Sequence, residues 1–187
     1  MEISKSKPAR ISIIGASGYG GLQLVKLINE HPNFELSSLN GERSAGKSWN
    51  EINPFMKITG DKVINKSNVD EIAQVSEYAI LSLPNGLASQ FTPLLLENGI
   101  KVLDLSADYR FKSLDKWKEV YSKEASKYPR FDYELCEEAV YGFSEQFSNE
   151  ISKSRLVACP GCYPTLSLSA LIPFLKQGLI ESEGIII

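Results

Sequence analysis

Arg10-Ile-Ser-Ile-Ile14 is a short apolar run that passes directly into Gly15-Ala-Ser-Gly18-Tyr-Gly20-Gly21. Leu22, Val25, Leu27 and Ile28 then recur at helical spacing until His31-Pro32, where proline cannot continue a helix. A buried strand, a glycine turn and an amphipathic helix in that order form the first corner of a βαβ unit. Outward from this corner the alternation continues. Phe34–Leu39 reads as a second strand, Tyr78–Leu83 as a third closed by Pro84-Asn85-Gly86, and Lys101–Leu105 as a fourth after a helical stretch over 87–98. Arg155–Ala158 resumes as a strand, and a helix follows to about Lys176 with Gly178 as its cap. The pattern predicts an α/β fold, a Rossmann-type doubly wound parallel sheet over residues 1–157. Residues 158–187 are expected to open a second, α+β catalytic domain. Between them, Arg110–Asn149 shows no clean periodicity and reads as irregular connection over the sheet edge. Gly184-Ile-Ile-Ile187 reads as the start of a strand, as though this were the front part of a longer protein.

Composition narrows the function classes. Across 187 residues, 20 Lys and Arg stand against 23 Asp and Glu, for a formal charge of −3 and no basic block. That balance excludes an electrostatic nucleic-acid binder. No run approaches the apolar length of a transmembrane helix. The opening Met-Glu-Ile-Ser-Lys lacks a signal-peptide core, so a cytoplasmic location is expected. Three cysteines are too few for a secreted disulfide scaffold.

Gly15, Gly18 and Gly21 fit a dinucleotide-binding turn. Glycine there permits a tight turn, close approach of a pyrophosphate to the backbone, and close helix-to-strand packing. The helix N-terminus adds free N–H groups and a partial positive charge, with Ser17, Tyr19 and Gly20 on the same turn. The bland alternative is a turn that serves packing alone. Past the second strand, Arg43, Ser44 and Lys47 suit the 2′-phosphate of NADP, Glu42 pulls mildly the other way, and a solvated basic loop is the alternative. Gly41-Glu-Arg-Ser-Ala-Gly-Lys-Ser48 also satisfies the Walker A pattern. A working P-loop opens a long helix, and Pro54 forbids one here.

Cys159-Pro-Gly-Cys162 has no second pair to complete a zinc site, and Cys136 and His31 do not make a ligand set with it, so no metal is expected. Too few residues follow for a thioredoxin-like fold. Cys162 instead sits where a helix begins, and helix N-termini stabilise a thiolate nucleophile. A buried inert thiol is the alternative.

Six ordered motifs carry a resemblance: Gly-Ala-Ser-Gly-Tyr-Gly-Gly (15–21), Ser-Ala-Gly-Lys (44–47), Leu-Ser-Leu-Pro-Asn-Gly (81–86), Asp-Leu-Ser-Ala-Asp-Tyr-Arg (104–110), Val-Tyr-Gly-Phe-Ser-Glu (140–145) and Pro-Gly-Cys-Tyr-Pro-Thr (160–165). Together they resemble the N-acetyl-γ-glutamyl-phosphate reductases of arginine biosynthesis, in the semialdehyde dehydrogenase superfamily. The resemblance implies NADP(H) as cofactor, an acyl-phosphate substrate and a homo-oligomer. It also implies that Cys162 attacks the acyl phosphate, and that hydride reduces the resulting thioester to N-acetylglutamate semialdehyde. Ser82 and Pro84 would meet the nicotinamide half, and Arg110 and Tyr163 the substrate. An ion pair of Arg110 with Asp104 or Asp108 is the structural alternative. Aspartate-semialdehyde or aminoadipate-type reductases, a P-loop module and a non-catalytic dinucleotide-binding domain are the rival readings. Two departures stand out. The family usually carries Asn where Cys159 stands, and its catalytic His belongs to a region after Ile187. The chain is therefore expected to bind NADP(H) yet turn over weakly alone.

Overall fold

A computed structural model describes residues 7–186. Ile187, the last residue of the expected final strand, lies outside the described residues, and Ile185 and Ile186 belong to no strand. Among the described residues seven strands form one sheet: β1 (Ala9–Ile14), β2 (Phe34–Asn40), β3 (Ile64–Asn65), β4 (Tyr78–Leu81), β5 (Lys101–Asp104), β6 (Val140–Tyr141) and β7 (Leu156–Ala158). Their order is β3-β2-β1-β4-β5-β7-β6, and each pairing is parallel. The chain winds outward from β1 to β3, then returns to β4 on the other side. The C-terminal ends of β1 and β4 therefore flank the switch point where such sheets bind ligands.

The helices are α1 (Tyr19–Glu30), α2 (Trp49–Ile52), α3 (Val69–Val75), α4 (Thr92–Glu97), α5 (Leu114–Val120), α6 (Ser122–Lys127), α7 (Tyr133–Glu138), α8 (Ser144–Lys153) and α9 (Cys162–Lys176). The central strands bury both faces, which explains why they read as unbroken apolar runs. Ile13, Leu39, Trp49 and Ile64 form one core with α1; Leu81, Leu95, Val102, Trp117 and Leu156 form the other. An open apolar groove of about 610 Å³ remains between α1 and α8, floored by Ile11, Ile80, Leu103 and Val157.

The first corner and the helix limits agree with the sequence. His31 ends α1, stacks on Phe34 at 4.0 Å and accepts the Asn33 N–H, a structural role. The 110–149 segment does not. It holds α5, α6, α7, β6 and most of α8, elements of 2 to 10 residues. Helices this short complete too few turns for a 3.6-residue period to emerge. Buried Arg130 ties α5 and α7 to the turn after β5. Its guanidinium lies 4.5 Å from the Trp117 ring and 4.8 Å from that of Tyr109, with a fork to Asp132 at 3.0 and 2.8 Å.

Candidate active site

Gly15 ends β1 at φ +88°, a left-handed conformation that favours glycine, and a methyl there would overlap the Ser82 carbonyl at the end of β4. A methyl at Gly21 would overlap the carbonyl oxygens of Gly15 and Ala16, so α1 packs onto the turn only because that residue is glycine. The N–H groups of Gly15 and Ala16 are held by the Asn40 carbonyl at 2.8 and 3.0 Å, which fixes the turn against β2. No side chain caps α1, and no acidic residue stands in its first turn. The N-terminus of α1 thus opens as an anion site in front of the turn.

A cavity of about 640 Å³ lies over this switch point. Gly15, Ser17 and Gly18 form its floor, Arg43 and Glu42 one end, and Ser82, Pro84 and Asn85 a side. Of the residues expected to hold the cofactor, Gly20 and Gly21 are spent on packing, Gly20 lying against the Ser82 hydroxyl. Tyr19 is 96% exposed and is not among the walls. Ser44 and Lys47 also stand outside the lining; the backbone around them pairs with Ile64 of β3 instead. Glu42 is occupied by the Ser67 N–H at 3.1 Å. The far wall was not legible in the sequence: Lys123 and Lys127 of α6 and Tyr128 just after it reach the cavity from the stretch read as irregular. The Walker-like segment does not form a P-loop: a single 3-10 turn over Glu42–Ser44 leads to the four-residue α2, ended at Asn53.

Cys162 is the first residue of α9, with Gly161 as an uncapped N-cap and Thr165 bonded back to the Gly161 carbonyl. Its sulfur is exposed, whereas Cys136 is buried and Cys159 half-buried. Burial pushes the Cys159 thiol up to about 11, with the neighbouring Asp104 charge adding to the effect, and burial likewise raises Cys136 to about 11. Burial thus shields both of these thiols, and among the three cysteines Cys162 alone is exposed. Tyr163 beside it is 78% exposed.

Arg110 makes no ion pair with Asp104 or Asp108 among the described residues. Its Nε donates to the Cys159 carbonyl at 2.8 Å and its Nη2 to the Leu105 carbonyl at 3.0 Å. Asp104 is fully buried; its Oδ1 accepts the Ser106 N–H and its Oδ2 has no partner. Burial raises its pKa to about 6. Cys162, Arg110 and Tyr163 are not among the walls of the switch-point cavity; Cys162 and Tyr163 follow β7 and Arg110 follows β5, on the β4 side of β1 in the sheet. No described helix is long and apolar enough to cross a membrane.

Known proteins resemble this chain in sequence and in fold. An N-acetyl-gamma-glutamyl-phosphate reductase of Prochlorococcus marinus strain NATL2A is 82% identical over 187 residues, covering 100% of this chain and 52% of that protein. The chain thus spans about half the length of the curated relatives it matches. The structure of aspartate semialdehyde dehydrogenase II complexed with ASA from Vibrio cholerae superposes with a TM-score of 0.64 at 22% identity, over 91% of this chain and 47% of that one. Aspartate semialdehyde dehydrogenase with NADP from Candida albicans gives 0.63 at 15% identity, over 91% and 48%. At those identities the likeness is one of fold. Residues 10–154 match the family profile described as semialdehyde dehydrogenase, NAD binding domain. On that match, which spans the glycine turn, the switch-point cavity and the strands that frame them, the chain belongs to the semialdehyde dehydrogenase family.

Proposed function

We propose that this chain carries the cofactor site and the nucleophile of an N-acetyl-γ-glutamyl-phosphate reductase, reducing N-acetyl-L-glutamyl 5-phosphate to the 5-semialdehyde with release of phosphate. The observation that carries the reading is the pair of strand-to-helix turns at the C-terminal end of the sheet, the glycine turn from β1 into α1 and the turn from β7 into α9 that bears exposed Cys162. The sequence kinship to reductases of that name supports the choice of substrate. Residues 1–157 form the dinucleotide-binding part. Residues 158–187 open the catalytic part, and the absence of any buried residue along α9 fits a helix whose packing partners belong elsewhere.

The glycine turn and the open N-terminus of α1 fit a pyrophosphate, and Arg43, Lys123 and Lys127 around the cavity favour NADP(H) over NAD(H). When bound, the nicotinamide supplies hydride. Ser82 and Pro84, just past β4, line the cavity and would orient that end. The Cys162 thiolate attacks the acyl carbon, a C–S bond forms, and the C–O bond to phosphate breaks with the electron pair leaving on phosphate. Reduction of the thioester carbon by that hydride would return the C–S electron pair to Cys162, which would leave the aldehyde as thiolate. Arg110 Nη1, which has no hydrogen bond among the described residues, and the Tyr163 hydroxyl meet the anionic substrate. Arginine suits phosphate and carboxylate alike.

Single-turnover acylation tests this. Mixing the chain with N-acetyl-L-glutamyl 5-phosphate is expected to release about one phosphate per chain and leave an acyl adduct on the Cys162 peptide, with neither event in Cys162→Ser. Acylation of Cys159, or none on a chain that binds NADPH, contradicts the assignment.

A further inference from the structure

The cofactor-side turn and the cysteine turn have to keep a fixed separation if hydride is to reach a group held on Cys162. Both are fastened to the same segment, the tight turns that run from Leu105 to Arg110 after β5. On the cofactor side, the Asn85 side-chain carbonyl accepts the Ala107 N–H at 3.1 Å. The Asp108 carboxylate accepts two N–H groups from the other direction, Gly86 at 2.5 Å and Ser89 at 3.0 Å. Gly86 sits at φ +88° with the Tyr128 ring against its Cα, so this turn has little room to move independently. On the cysteine side, Arg110 grips the Cys159 carbonyl through Nε and ties that grip to the Leu105 carbonyl through Nη2. Its Nη1 would lie 3.2 Å from a methyl at Gly161, the residue that caps α9, so the guanidinium is seated beneath the turn that presents Cys162. Behind both grips, buried Arg130 donates to the Asp108 carbonyl at 2.6 Å, and the Ser106 hydroxyl accepts the Asp108 N–H at 3.2 Å.

We infer that Leu105–Arg110 is a rigid brace, with Asp108 and Arg110 as positioning residues that set the approach of the cofactor turn to the Cys162 turn. Asp108 is fully buried and cannot reach substrate. Its place in the reaction rests on the reductase reading, whereas the mechanical link between the two turns does not. A brace differs from two local contacts in one respect: loosening one end is felt at the other. Buried hydrogen-bond networks couple in this way, while separated independent sites do not.

The test reads each turn in variants that touch only the opposite one. Arg110→Lys keeps the charge and loses the fork; it is expected to speed hydrogen exchange of the Gly86 and Ser89 amides about three- to tenfold. Asp108→Asn leaves Arg110 untouched; it is expected to slow iodoacetamide alkylation of Cys162 by a similar factor of about three to ten. Asn85→Ala removes only the Asn85–Ala107 contact and should slow alkylation in the same direction, which decides the matter if Asp108→Asn fails to fold. Effects confined to the near turn in each variant, with the far turn unchanged, overturn the brace. An NADPH titration of the parent chain separates the two proposals. Far-turn effects without NADPH binding sink the reductase reading and leave the brace standing; NADPH binding without far-turn effects does the reverse.

Discussion

Asp104 and Cys159 stand side by side at the sheet's C-terminal edge, the Cys159 N–H bonded to the Asp104 carbonyl at 2.8 Å. Between them they make Cys162 stand out. A buried carboxylate with one unpartnered oxygen and a thiol held neutral beside it both lack the access a nucleophile needs. Iodoacetamide near pH 7.5 should therefore modify the Cys162 peptide and spare those of Cys136 and Cys159, as peptide mass spectrometry would read. Asp104 also leaves a mark on stability. Its folded-state pKa of about 6 exceeds the ordinary 3.8, so from about pH 4 to 6 the folded chain holds a proton that the unfolded chain has released. Stability falls as pH rises through that window. Asp104→Asn removes the effect. Relative to the parent, it should gain on the order of 2–3 kcal/mol between pH 4 and 7 in urea denaturation. The place of Cys162 at a helix start was legible in the sequence because it rests on local order: a strand, a turn of proline and glycine, a helix start. Arg110 was only half legible. Its residue type spoke for an anion or an ion pair, but its partners are carbonyls of Leu105 and of Cys159, 49 residues away, which no local pattern encodes.

The elements differ in how strongly they depend on single residues. At the β1–α1 corner, Gly21→Ala drives a methyl into two backbone carbonyls that cannot give way as a side chain would. A loss of about 3 kcal/mol is expected in chemical denaturation, near the upper range for overpacking. In the 110–149 region the dependence falls on Arg130, only 3% exposed and gripped by Asp132, Tyr109, Trp117 and the Asp108 carbonyl. Arg130→Met fills similar space but leaves Asp132 with no counter-charge in a largely buried setting. It should cost about 3–5 kcal/mol, whereas Arg155→Met, which breaks the exposed pair with Glu138 at 2.5 Å, should cost less than about 1 kcal/mol. Differential scanning calorimetry of the two variants side by side separates them. The contrast between regions also explains what the sequence revealed. β1, α1, β2, β4, β5 and β7 announce themselves through apolar runs, glycine or proline. The short helices α5 and α7 are joined through one buried cation and its partners, a tertiary arrangement that no local periodicity encodes.

For the whole molecule, the Rossmann-type organisation places the glycine turn, the Ser82–Gly86 turn and the Cys162 helix at one edge of a single sheet. The cofactor cavity was half legible. Its floor follows from the glycine spacing, while the wall of Lys123, Lys127 and Tyr128 comes from a segment whose sequence gives no sign of it. We propose that this cavity holds NADP(H), and a fluorescence titration of the chain decides it. The chain should bind NADPH saturably and NADH more weakly, with Mg-ATP failing to compete. Arg43→Ala should weaken NADPH about tenfold while leaving NADH nearly unchanged, because the lost charge faces only the extra phosphate. Firm Mg-ATP binding without NADPH binding, or equal affinity for NADPH and NADH in parent and variant alike, would contradict the account.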